Sequence, residues 1–150
     1  MSTQVLDLKV AINNICQRWN YKVEEVSAGV FRVDVYLKQK DGSARYQFVY
    51  AWVIPGRYFG KDVVYMNSRC GEFTQNLNLY KLLKEGGYGT YSAVTVTTDK
   101  RADGSPCETV IVQAVQPIEF TNEAILNEAL YDVAFNADAI ESLYFGGDKN

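Results

Sequence analysis

Apolar and polar residues repeat along this chain with two periods, and the switches between them outline its elements. Val5, Leu8, Ile12, Ile15 and Trp19 recur every three or four residues, which predicts one apolar stripe of a helix. Ser2 or Thr3 is its expected cap and Asn20 its expected end. The period then falls to two: Phe31, Val33, Val35 and Leu37 alternate with Arg32, Asp34 and Tyr36, the pattern of a half-buried strand. The stretch KDGS at 40–43 predicts a hairpin turn, because Asp-Gly accepts the positive φ that such turns need. The return strand, ARYQFVYAWVI, puts Tyr46, Phe48, Tyr50 and Trp52 on one face and Arg45, Gln47, Val49, Ala51 and Val53 on the other, until Pro55-Gly56 breaks it.

A third strand is expected over 62–68, followed by Cys70-Gly71. A short helix over about 77–85 comes next, capped by Asn76 and stopped by Gly86-Gly87, with Leu79, Leu82 and Leu83 facing inward. Strands over 90–98 and 108–116 flank a long polar turn, and Pro117 ends the second. The last helix runs over about 122–145 with Thr121 as its cap. The resulting fold class is α+β: one domain over residues 1–150, with a mostly antiparallel five-stranded sheet in the order α-β-β-β-α-β-β-α.

In that last helix Leu126, Leu130, Val133, Ala137, Ile140 and Tyr144 form the core stripe. At about 100° per residue, Phe135 falls on the opposite side from Leu126, and Tyr131 also lies off the stripe. Either the helix kinks near Asn136 or a loop covers Phe135, or these rings form a contact surface, most simply between two copies. The sheet poses the same alternative, since a sheet apolar on both faces needs cover on both. The candidate partner-binding residues are therefore Tyr131, Phe135, Tyr46, Tyr50 and Trp52.

Composition narrows the chemistry. The chain has 150 residues and a net charge of −3, but from Glu119 onward seven acids face one base, Lys149. That segment either complements bases elsewhere in the fold or offers an acidic surface to a basic partner. With no histidine, the commonest general base and metal ligand is missing. Cys16, Cys70 and Cys107 lack zinc spacing, and an odd set of scattered cysteines suits a reduced, cytoplasmic protein. GGYGTYS at 86–92 follows a helix and precedes a strand, the reverse of a phosphate cradle. Glu24 and Glu25 are expected to point apart. No catalytic, cofactor or metal site is expected, nor a nucleic-acid or membrane partner: the pI near 5.0 lacks a basic footprint, and no apolar run approaches the ~20 residues of a membrane span.

The order of elements is similar to that of the type III secretion chaperone-like fold and of the YbjN-like bacterial domains. LYKLLKEGGYGTYSAVTV at 79–96 resembles the short Leu-rich helix that passes through a glycine turn into the fourth strand, and NADAIESLYFGGD at 136–148 resembles that group's closing helix. The resemblance implies a small, often dimeric, non-enzymatic protein that binds other polypeptides. It carries over no contact residue. A small-ligand binder on the aromatic sheet face, or an enzyme using carboxylates or Cys70, are the competing expectations.

Overall fold

A computed structural model describes residues 5–146. It is α+β, with three helices and one antiparallel sheet of six strands in the order β1-β2-β3-β4-β6-β5. The elements follow the chain as α1 (Leu8–Trp19), β1 (Lys22–Ser27), β2 (Val30–Lys38), β3 (Ala44–Tyr58), β4 (Lys61–Glu72), α2 (Leu79–Gly86), β5 (Ala93–Lys100), β6 (Pro106–Pro117), a 3-10 turn (Ile118–Phe120) and α3 (Glu123–Tyr144).

The expected five strands are six. β1 carries Glu24 and Glu25 side by side, buries no residue, and is bulged between Glu25 and Ser27, so its alternation is broken. Charges and a bulge on a short outer strand are what keep an edge from pairing with other chains. The observed order, α-β-β-β-β-α-β-β-α, therefore differs from the expected α-β-β-β-α-β-β-α by this first strand. Glu24 and Glu25 do point apart, Glu24 to Arg32 at 3.0 Å and Glu25 to Lys9 at 3.3 Å. Pro55-Gly56 does not end β3: the strand passes through an irregular pairing between Ile54 and Tyr58, and Gly56, at φ +67, donates its N–H to Asp62 Oδ1.

Helix ends shift by a residue or two. Asp7 caps α1 by accepting from Val10 N, while the expected caps Ser2 and Thr3 lie outside the described residues. Val5 precedes the helix and Trp19 is exposed, so the stripe runs through Leu8, Ile12 and Ile15 only. Asn20 ends α1 as expected, in the left-handed conformation. Asn78, not Asn76, caps α2, whose inward residue is Leu82; Leu83 is exposed. Asn122, not Thr121, caps α3.

The 40–43 turn is a type I turn closed by Gly42 N–H to Gln39 O and opened into the strand by Gly42 at φ +86. The polar turn between β5 and β6 repeats the same Asp-Gly-Ser chemistry: Gly104 N–H bonds Arg101 O, Gly104 sits at φ +86, and Asp103 Oδ1 accepts from Ser105 N.

The contacts of α1 and α3 with the sheet lie on one face. Phe31, Val33, Val35 and Leu37 of β2, Val49 and Ala51 of β3, Val64 and Met66 of β4 and Val110 and Val112 of β6 meet Ile12, Ile15, Leu126, Leu130, Val133 and Ala137 in a single core. The other face is left open by the helices.

Candidate functional site

Cross-strand register assembles that open face. Tyr36 lies opposite Tyr46, Arg32 opposite Tyr50, and Trp52 opposite Tyr65. Tyr36 and Tyr46 pack edge to face at 5.6 Å, Trp52 tilts on Tyr65 at 4.8 Å, and Arg32 lies over the Phe48 ring at 4.9 Å. Tyr46 is 55% exposed and Phe48 49%, whereas Tyr50 and Trp52 are half-buried. Of the candidate partner-binding residues, Tyr46 thus offers free ring surface and Trp52 largely packs within the face.

Tyr131 and Phe135 stack on each other at 6.2 Å on the outer side of α3, 43% and 56% exposed. α3 is one helix past Asn136, and no loop covers Phe135 among the described residues. The two sets of rings are therefore on opposite sides of the sheet. Tyr36 joins them: it touches Tyr46 on the open face and lines a groove of about 960 Å³ with Tyr131 and Phe135. It can do so because β1 begins only at Lys22, opposite Asp34, so residues 35–38 of β2 pair with β3 alone and have no strand on their outer side. The aromatic surface wraps around that bare edge as one band.

The glycine-rich segment has a structural task in this groove. Asp132 of α3 accepts from Tyr91 N at 2.9 Å, Ser92 Oγ at 2.8 Å and Thr90 N at 3.3 Å, and Asn136 Nδ2 donates to Ser92 Oγ at 3.2 Å. The backbone N–H groups of the loop thus cradle a carboxylate of the chain itself. A Cβ on Gly89 would run into the Asn136 amide and come within 2.7 Å of Asp132 Oδ2, so any larger residue must displace the side chains that hold the loop. Tyr91 OH donates to Glu128 at 2.5 Å, and that bond to a carboxylate raises the Tyr91 pKa above its ordinary value.

The acidic end of the chain is largely answered from within. Glu119 pairs with Lys61, Glu123 with Arg18 and Asp138 with Arg45, at 2.6, 3.3 and 2.9 Å. Glu128 and Asp132 hold the loop instead of pairing with bases.

A second concave feature lies where β3 and β4 part. Their pairing begins at Tyr50 opposite Asn67; before that residue β3 pairs only with β2, and after Asn67 β4 pairs only with β6. Side chains bridge the fork in place of ladder bonds. Gln47 Nε2 donates to Ser68 Oγ at 3.0 Å, Arg69 O at 3.2 Å and Glu141 Oε2 at 3.4 Å, and Ser68 Oγ donates to Phe48 O at 2.7 Å. Glu141 reaches in from α3 and is 3% exposed. The fork encloses about 380 Å³. Sequence reasoning missed this site, although polar residues at core positions marked it: Gln47 beside Val49, Ser68 after Val64 and Met66, Glu141 next to Ile140.

Cys70 is wholly buried beside the fork, and burial, aided by Glu141, pushes its thiol up to about 12. Burial holds Cys16 at about 11. Burial thus disfavours the thiolate that a Cys70 nucleophile would need. Among the described residues no three of His, Cys, Asp and Glu are grouped to hold a metal ion, and no helix is long and apolar enough to cross a membrane.

No protein-family model matches this chain, and no curated protein matches it.

Proposed function

We propose that this chain is a non-enzymatic protein-binding module that works as a homodimer in the cytoplasm. One observation carries the reading: five of the exposed rings lie in one band, from Tyr46 and Phe48 through Tyr36 to Tyr131 and Phe135, whereas Phe59, Tyr80, Tyr88 and Phe120 are exposed outside it. Soluble chains rarely leave so wide an apolar patch uncovered unless something docks on it, and aromatic residues concentrate at the centres of docking surfaces. The second copy docks on the Tyr131–Phe135 stack; the open sheet face then serves a partner polypeptide. The resemblance of the sequence to the type III secretion chaperone-like and YbjN-like domains, whose members bind polypeptides, motivates the same reading. Three free cysteines suit a reducing compartment.

Hydroxyl-radical footprinting of the full chain at low and high protein concentration tests the reading. Tyr131 and Phe135 become protected on concentration while Phe59, equally aromatic but remote in a β-turn, does not change. Uniform labelling of all three at both concentrations refutes it.

A further inference from the structure

We propose that the second copy packs antiparallel on α3, about a two-fold axis level with Val133, and that the charges around the helix fix this direction. The proposal rests on the docking reading and adds the geometry of its interface. The outer side of α3 carries Ala124, Glu128, Tyr131, Phe135, Asp138 and Ser142. Their spacings of 4, 3, 4, 3 and 4 repeat those of the core stripe two residues earlier, and are those of a seam between two packed helices. The stripe is also close to a palindrome. Counted outward from Val133, it matches Tyr131 with Phe135, Glu128 with Asp138 and Ala124 with Ser142: ring with ring, acid with acid, small residue with small residue. A two-fold contact between antiparallel helices brings such positions face to face, the first on the second and the second on the first. The rings of both copies then meet at the centre, and the small residues let the helix ends approach.

The charges choose the direction. Glu128 is exposed and accepts from Tyr91 OH through one oxygen only. Toward the other end of the stripe, Asp138 is held by Arg45 at 2.9 Å, and Lys38 and Lys40 line the groove that runs beside Phe135 and Asp138. Both lysines are exposed, and neither pairs with a carboxylate among the described residues. Antiparallel packing carries Glu128 of each copy onto the basic groove of the other. Parallel packing sets Glu128 against Glu128 and lysines against lysines. Like charges facing each other across an interface cost affinity, and opposite ones fix its register.

Two measurements on the full chain test the arrangement. In sedimentation at low salt, Glu128→Lys should weaken the dimer about tenfold, and so should Lys38→Glu/Lys40→Glu. Mixing these two chains makes both contacts complementary again, and should restore affinity to within about threefold of the natural chain. All three positions are exposed, and a misfolded chain is not repaired by mixing. For the direction itself, Ala124→Cys and Ser142→Cys are each made in a Cys107→Ser chain, which leaves only the buried Cys16 and Cys70. Under mild oxidation the mixture should cross-link as a heterodimer, while neither chain links to itself. A dimer that is lost in Tyr131→Ala/Phe135→Ala but is indifferent to the charge reversals, or that cross-links through Ala124→Cys alone, overturns this geometry and leaves the docking reading standing. A natural chain that stays a single copy at every concentration overturns both.

Discussion

Replacing Asp132 by alanine removes the acceptor that holds the 89–92 loop against α3. Two of its bonds are short, to Tyr91 N at 2.9 Å and Ser92 Oγ at 2.8 Å, and the third, to Thr90 N at 3.3 Å, is weak. Hydrogen bonds to a charged acceptor contribute about 1.5–3 kcal/mol each. Because the site is half-buried, the lower figure applies to the two short ones, so Asp132→Ala should cost about 3 kcal/mol. That is a large share of the roughly 5–15 kcal/mol that holds a domain together, and corresponds to a fall in Tm of about 6–12 °C. Asp132→Asn keeps one carbonyl oxygen and should cost about half as much. Gly89→Ala attacks the same cluster from the other side, since its Cβ drives Asn136 and Asp132 away from Ser92. The two changes therefore overlap, and the double variant should cost at least 1 kcal/mol less than their sum, about the coupling seen between touching residues. Urea unfolding followed by circular dichroism and by Trp19 and Trp52 fluorescence measures all four corners of the cycle. A cost of Asp132→Ala below about 0.5 kcal/mol, or strict additivity, would refute the reasoning.

Three further outcomes follow from the same packing. Gly71→Ala places a methyl against the Phe145 ring, within 2.7 Å of Cε1, and should cost about 1–3 kcal/mol in urea unfolding, with most of the loss recovered in Gly71→Ala/Phe145→Ala. The Cys70 thiol ionises near 9.0 when unfolded and about 12 when folded, so it favours the folded state below pH 9 and withdraws that stability as pH rises from 9 toward 12. Cys70→Ala, whatever its constant cavity cost, should flatten the decline of stability between these limits; parallel curves for the two proteins would contradict the assignment. Half-buried Cys107 should react first with a thiol reagent in the native state, and Cys16 and Cys70 only on unfolding, as a time course of labelling would show.

How much of this was legible follows from how each element is stabilised. α3 was legible because its core stripe is continuous and its off-stripe rings are large, so Phe135 and Tyr131 stood out by arithmetic alone. β2, and β3 as far as Ala51, were legible because buried and more exposed residues alternate there, whereas beyond Ala51 the alternation of β3 lapses and its end was misjudged. β1 was not, because an edge strand that buries nothing carries no alternation to read. The caps moved because Asn76 and Asn78, or Thr121 and Asn122, are equally good by residue type, and only the geometry of the preceding chain selects one. The band and the fork are non-local. Tyr36 joins two surfaces only because β1 starts no earlier than Lys22, and Glu141 meets Gln47 across 94 residues of chain. Gln47, Ser68 and Glu141 nevertheless left a trace, as polar residues where their patterns called for apolar ones.

The mass in solution tests the central claim most directly. Light scattering on the eluting full chain should give twice 16.9 kDa at micromolar concentration, and Tyr131→Ala/Phe135→Ala should elute as a folded species of 16.9 kDa. A natural chain that stays at the single mass however concentrated, or a dimer indifferent to losing both rings, would contradict the account.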